Sequence, residues 1–366
     1  MSPEPKPGTP YLSLDTPALL LDLDAFNHNV RLMAQFFAGR PTALRPHAKT
    51  HKCPEIARRQ LDAGAIGITC AKLGEAEVMV EAGIDDILIA NQVVGALKID
   101  RLTDLAARSR TMVAVDDAAN VEQLSAACQA KGVTLRILVE VDIGMHRCGV
   151  LPGQAALELA QKVAQAPGLQ LAGLMGYEGH LVQIRDPQDR QTKVLEALRP
   201  LQDTRDLLER NGLPVEIVSG GGTGTYDVSG TNPPMTEIEA GSYVFMDSTY
   251  RQTRPEFEQA LYILSTVVSR PTPERVVTDA GRKTISNDFG FPVPLGAPGA
   301  TIKSLSEEHG LLTLADPDAV SLRPGEKMRF VPSHCCTTTN LHDQLYVIQD
   351  QTLVGIWPIA ARGRAQ

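Results

Sequence analysis

Short apolar runs alternate along this chain with segments whose apolar residues recur at three- and four-residue spacing. The first run is Ala18-Leu19-Leu20-Leu21, and Asp24 then caps a helical segment in which Phe26, Val30, Met33 and Phe37 share a face. The pattern repeats after that. Strands are predicted at residues 42–45, 66–70, 87–90, 112–115, 135–141, 171–176 and 215–218. Helical segments follow the first six of them, at residues 54–63, 74–82, 96–107, 119–131, 154–166 and 188–211. A glycine-rich loop and a further apolar segment, residues 238–246, follow the seventh. Strands alternating with helices imply a parallel sheet, and about eight such units fit a (β/α)8 barrel of the TIM type in number and length. A doubly wound sheet is the alternative, but no GxGxxG follows the first strand.

Near residue 250 the rhythm changes. Helical periodicity gives way to strand-like runs at residues 260–269, 275–278, 328–332, 344–349 and 354–358, separated by Pro and Gly. The expected organisation is α/β: a barrel over residues 16–250, then a smaller, mostly-β domain of residues 251–366 together with residues 1–15.

Composition narrows the function. The chain has 366 residues, 43% apolar and 21% charged, with net charge −8. No long basic run or membrane-length apolar run is present, which argues against nucleic acid and membrane as partners. The first ten residues are Pro-rich and polar, without the apolar centre of a signal peptide. Six scattered cysteines read as reduced thiols, so a cytoplasmic location is expected.

In a β/α barrel the chemistry sits at the carboxyl ends of the strands. Those ends carry His47 and Lys49, Cys70 and Lys72, Asn91, the stretch Asp142 to Gly149, Tyr177-Glu178-Gly179-His180, the loop Ser219-Gly220-Gly221-Gly222-Thr223-Gly224-Thr225, and Gly241-Ser242-Tyr243. Polar and titratable residues crowd these ends while the strands before them are apolar. By alternation Arg45, His47 and Lys49 point one way, and a lysine beside cations has its free amine favoured, as a Schiff-base lysine requires. A solvated basic loop is the other reading. The four-glycine loop suits a phosphate, whose oxygens its backbone N–H groups can approach, or is a mobile turn. Arg147 suits a ring nitrogen or a surface ion pair; Tyr177 suits a planar ring or the barrel core.

A second cluster, Ser333-His334-Cys335-Cys336, falls in the β domain. In extended chain His334 and Cys336 leave the same face and Cys335 the opposite one, which is ligand geometry for a metal with open positions. A thiolate and an imidazole favour zinc, with manganese or cobalt as alternatives. A buried structural cysteine pair is the competing reading.

Together these stretches resemble the fold-type III pyridoxal-phosphate enzymes of the D-threonine aldolase and D-serine dehydratase group, related to alanine racemase. The likeness rests on Arg45-Pro46-His47-Ala48-Lys49, Arg147-Cys148-Gly149, Ser219 to Gly224, Glu239 to Asp247, Asp279-Ala280-Gly281, Glu308-His309-Gly310, Pro332 to Cys336 and Trp357-Pro358. It implies pyridoxal 5'-phosphate in the barrel, a divalent metal in the β domain and a homodimer. It also implies Lys49 as Schiff-base lysine; Gly222, Thr223, Gly241, Ser242 and Tyr243 at the phosphate; Arg147 at the pyridine ring; His47 beneath it; and His334 and Cys336 on the metal. The implied substrate is a D-3-hydroxy amino acid, cleaved at Cα–Cβ to glycine and an aldehyde, with His180, Glu178 or a metal-bound hydroxide as base. The glycine loop and the stretch Gly241 to Asp247 look aldolase-like, two positions depart from the aldolases, and dehydration of D-serine or 3-hydroxyaspartate to a 2-oxo acid and ammonia is the alternative. Cys336 stands where aldolases usually have aspartate, and Glu178 rather than histidine follows Tyr177. A racemase and a non-catalytic cofactor-binding protein are the remaining alternatives.

Overall fold

A run of four buried aliphatic side chains opens the ordered fold, in a computed structural model that describes residues 5–318 and 320–366. Residues 1–4, at the Pro-rich start, lie outside the described residues. The run is β1 (Ala18–Asp22), and α1 (Leu23–Phe37) follows it. Eight parallel strands come next in chain order: β2 (Ala43–Leu44), β3 (Ile68–Cys70), β4 (Asp86–Gln92), β5 (Arg110–Val115), β6 (Leu135–Glu140), β7 (Leu169–Gly176), β8 (Ile217–Gly220) and β9 (Glu237–Ile238). Between them lie α2 (Pro54–Asp62), α3 (Leu73–Glu81), α4 (Ala96–Ala106), α5 (Ala118–Lys131), α6 (Gln154–Gln165), α7 (Pro187–Arg210) and the short α8 (Tyr226–Ser229).

By contacts the chain divides into two units. The barrel unit comprises Met33–Lys49, Pro54–Gly241 and Gly363–Gln366. Its sheet runs β2-β9-β8-β7-β6-β5-β4-β3. Hydrogen bonds from Ile66 N to Leu44 O and from Thr69 N to Pro46 O, both 2.9 Å, join its two ends into a closed (β/α)8 barrel. Leu88, Met112, Ala114, Leu138, Ala172 and Met175 fill one layer of its core. Burying them is the main driving force for closure. Gly173 and Gly220 allow β7 and β8 their register: a Cβ on Gly173 would stand 1.8 Å from Ile217 O, and one on Gly220 1.9 Å from Gly176 O.

The amino-terminal side of the barrel holds an ion triad of buried Arg45 and Glu237 with half-buried Asp86. Arg45 Nε donates to both oxygens of Glu237 at 3.0 Å, and its Nη1 donates to Asp86 Oδ1 at 2.5 Å. Glu237 and Asp86 begin β9 and β4, so Arg45 turns away from the carboxyl ends. The alternation expected through Arg45, His47 and Lys49 therefore does not hold. Only Ala43–Leu44 is strand, and the chain turns at Ala48–Thr50.

The second unit takes the chain up to Leu32, Thr50–Cys53 and Ser242–Arg362. Its strands are β10 (Leu261–Thr272), β11 (Arg275–Thr278), β12 (Val293–Leu295), β13 (Ala300–Leu305), β14 (Gly310–Leu314), β15 (Lys327–Val331), β16 (Gln344–Gln349) and β17 (Thr352–Pro358), with α9 (Cys335–Thr339) between β15 and β16. Strands β12, β13 and β14 and helix α9 escaped the sequence reading, because each spans six residues or fewer, too short for a clear period. The strand at residues 18–22, assigned above to the barrel span, belongs to this nine-stranded sheet: β1 pairs antiparallel with β10 and parallel with β16. Leu14, Ala18, Leu20, Leu264, Ile348 and Leu353 form its core.

Candidate active site

The carboxyl ends of the barrel strands bring two cations to one aromatic ring. Lys49 Nζ lies 5.6 Å from the centre of the Tyr177 ring, and the Arg147 guanidinium lies 5.8 Å from it. Lys49 is half-buried in the turn after β2, and Tyr177 follows directly on β7. His47, buried before the same turn, has Nδ1 3.1 Å from the Thr69 carbonyl oxygen, at the seam where the barrel closes.

The glycine loop after β8 runs past the same tyrosine. A Cβ on Gly222 would meet Tyr177 Cε2 at 3.4 Å and its hydroxyl oxygen at 3.5 Å, so the bare glycine keeps a cradle open there. Gly221 has φ +71°, a left-handed turn that favours glycine. Behind the loop lies Glu178, fully buried. Its Oε1 accepts from Thr225 Oγ1 at 2.7 Å and Ser229 Oγ at 2.5 Å, and its Oε2 accepts from Gly221 N at 3.3 Å. The side chain offered above as a base is engaged in bracing the loop. His180, two residues on, is exposed, and a Cβ on Gly144 would stand 3.3 Å from its Nε2.

Residues without a role in the sequence reading shape the Arg147 loop. Glu140, the last residue of β6, is buried, and burial pushes its carboxyl up. Gln92 Nε2, which donates to it at 2.5 Å, and Arg147, at 3.8 Å, oppose that rise. Asp142 Oδ1 accepts from Gly144 N and His146 N at 3.0 Å each. Asp142-x-Gly144-x-His146 is an aspartate-turn signature, and that was the available signal. Glu239, just past β9, accepts from Ser219 Oγ at 2.8 Å. Burial raises its carboxyl to about 7, reinforced by Glu237 and opposed by the Ser219 hydrogen bond and the Lys49 charge. Gly241 ends this stretch of the barrel unit, whereas Ser242 and Tyr243 belong to the second unit. The Tyr243 ring is buried against Phe257, 5.9 Å between centres. Lys72 and Asn91 form a structural corner, in which Asn91 Nδ2 donates to Ala71 O and Glu75 accepts from Ala71 N and Lys72 N, and Cys70 is buried beside it in chain order.

In the second unit His334, Cys335 and Cys336 bring one donor atom each to within 4.8 Å of one another. Cys335 does not point away as extended chain requires, because helix α9 starts at it with His334 as N-cap. Around Cys336 Sγ stand Thr50 Oγ1, from the residue after Lys49, at 3.3 Å and Ser242 Oγ at 3.8 Å. Asp247, buried, accepts from His334 Nδ1 at 3.1 Å. Burial disfavours the His334 imidazolium, but the Cys336 thiolate and Asp247 raise its pKa to about 10. Cys336 is held low by hydrogen bonding from Cys335 and by His334, while burial keeps Cys335 high. Two soft donors and an imidazole suit a thiophilic divalent metal. His342 and Asp343 stand apart from this cluster: His342 Nε2 is 2.9 Å from Thr284 O, and Asp343 Oδ1 is 2.6 Å from Arg362 Nη1.

A primary amine, a flanking aromatic ring, a second cation and an open glycine cradle fit an aromatic aldehyde phosphate. Comparison with known proteins agrees. Residues 21–249 match the family described as alanine racemase, N-terminal domain, and residues 260–348 match the putative serine dehydratase domain. A D-threonine aldolase of Arthrobacter sp. is 42% identical over 99% of this chain and 97% of its own length. A 3-hydroxy-D-aspartate aldolase of Paracoccus denitrificans (strain Pd 1222) is 38% identical over 98% and 95%. The crystal structure of D-threonine aldolase from Filomicrobium marinum superposes with a TM-score of 0.95 at 43% identity, covering 98% of this chain and 99% of that one. Pyridoxal phosphate fits this family, and matches along both units with relatives along the full length carry one conclusion: the chain belongs to the alanine racemase-like family, in its D-threonine aldolase and D-serine dehydratase group.

Proposed function

We propose that this protein is a pyridoxal-phosphate- and divalent-metal-dependent lyase that cleaves the Cα–Cβ bond of D-3-hydroxy amino acids, giving glycine and an aldehyde. The likeness along the whole chain to D-threonine aldolase carries this reading. The bound cofactor supplies an electron sink at Cα, and the metal a Lewis acid for the 3-hydroxyl. The protein's own residues do the rest. Lys49 is the covalent anchor, with His47 beneath the ring. Tyr177 keeps Lys49 and Arg147 on its face, and Arg147 attends the ring nitrogen. Gly222, Thr223, Gly241, Ser242 and the backbone of Tyr243 hold the phosphate. Glu178 acts through the loop and not as a base, and exposed His180 takes the hydroxyl proton as Cα–Cβ breaks. The proton that leaves the 3-hydroxyl balances the one that Cα must gain for glycine to be complete. His334 and Cys336 hold the metal, and a homodimer is the working form.

Dehydration is the second reading, favoured by the thiol at Cys336 and by the dehydratase match over residues 260–348. Products decide between them. With D-threonine and added cofactor, equal amounts of glycine and acetaldehyde are expected, and lost after chelation. An oxo acid with ammonia would establish dehydration instead. Activity that survives thorough chelation would overturn the metal's part. Borohydride should trap the cofactor on the wild type and not on Lys49→Ala; trapping on the variant would show another anchor.

A further inference from the structure

We infer that Asp247 is a positioning residue for the metal: it fixes the tautomer and aim of His334, so that Nδ1 carries the proton and Nε2 is the ligand nitrogen. The inference rests on the metal reading above. Asp247 Oδ2 accepts from His334 Nδ1 at 3.1 Å and from the Cys335 backbone N–H at 3.0 Å. Its other oxygen accepts from the backbone N–H groups of Thr249 at 3.1 Å and Tyr250 at 2.8 Å. The carboxylate is fully buried, and every partner is a donor, so neither oxygen has a proton to give the imidazole. The histidine must donate, and a proton on Nδ1 leaves the Nε2 lone pair for a metal.

The anchoring is rigid. Ser248 N donates to Pro332 O at 3.1 Å and Thr249 Oγ1 donates to Ser333 O at 2.8 Å, so the Asp247 segment is stitched to the chain leading into the cluster. Met246, just before it, has φ +53°, a left-handed backbone that sets the carboxylate's direction. Carboxylate–histidine pairs of this kind orient ligands and raise their basicity, and losing the carboxylate typically weakens metal binding about 10–100-fold.

Asp247 also joins two segments, so loss of stability alone would not separate positioning from packing. The test reads metal affinity and tautomer. Zinc binding to the cofactor-loaded protein is measured by competition with a chromogenic chelator, for wild type, Asp247→Asn and Asp247→Ala. Expected are one zinc per wild-type chain and affinity about 10–100-fold weaker in both variants. Wild-type affinity in both would overturn the inference while leaving the metal reading intact. A wild type that binds no zinc would overturn that reading and the inference with it. Should the variants fail to fold, nitrogen-15 spectra of the histidines in zinc-loaded wild type decide, with His334 assigned by its absence from His334→Gln. A proton on Nδ1 supports the inference. A proton on Nε2, with Nδ1 on the metal, overturns it.

Discussion

Glu178 Oε1 accepts a hydrogen bond from Thr225 Oγ1 at 2.7 Å, beneath the glycine loop after β8. With Ser229 Oγ and Gly221 N on the same side chain, its two oxygens are committed to holding the loop in shape. Glu178→Ala leaves Thr225 Oγ1, Ser229 Oγ and Gly221 N without the acceptor they share. Leaving buried donors without their acceptor costs about 1–3 kcal/mol, so affinity for pyridoxal phosphate should fall about 10–100-fold in an absorbance titration. At saturating cofactor kcat should stay near wild type. A kcat loss that persists at saturation would return Glu178 to the chemical step.

Glu239 makes stability depend on pH. Its carboxyl is raised from 4.5 to about 7 by burial, so the folded protein holds a proton that the unfolded chain releases. Its contribution is fully present below the unfolded value and is lost as pH rises through the folded one. A shift of this size corresponds to about 3 kcal/mol. In the cofactor-free protein the stability of wild type relative to Glu239→Gln should therefore fall between the unfolded and folded values. Urea titrations across that window measure it; parallel curves for the two proteins would count against the assignment.

Arg45 is expected to matter for stability and not for the cofactor. Arg45→Met strands the buried Glu237 at the amino-terminal side of the barrel, while half-buried Asp86 keeps Arg110 at 3.2 Å, and breaking a buried pair typically costs about 3–5 kcal/mol. Urea unfolding should show that loss, while the folded fraction binds pyridoxal phosphate as wild type does. The reverse outcome, with stability kept and cofactor lost, would place Arg45 at the site.

Gly220 admits no side chain. A Cβ there would meet Gly176 O at 1.9 Å, and only separation of β7 from β8 relieves the clash. Gly220→Ala should cost about 3 kcal/mol or more and disturb the adjoining glycine loop, so thermal stability and cofactor binding fall together. Loss of neither would mean that the two strands part more easily than their register implies.

The periodicity of apolar residues was enough to read seven of the eight barrel strands and the change to a β-rich second part, because burial on a fixed face leaves a local pattern. Lys49, Tyr177 and the glycine loop were legible for a related reason: barrel strands present their carboxyl ends to one face. Strand partners left no such trace. Ala18–Leu21 is buried on both faces, as a central strand of either sheet would be, and only its pairing with β10 and β16 decided the matter. Arg45 shows the same limit, since alternation aimed it at Lys49 while Glu237 and Asp86, far along the chain, drew it away. The Cys335 thiol joins its neighbours because a helix starts where extended chain was assumed. Glu178 and Asp247 each meet donors that folding gathers from distant parts of the chain, and no spacing in the sequence announces those donors. Residue type and spacing named the chemistry available to this protein; long-range hydrogen bonds, which sequence spacing does not encode, decided which carboxylates hold the site in place.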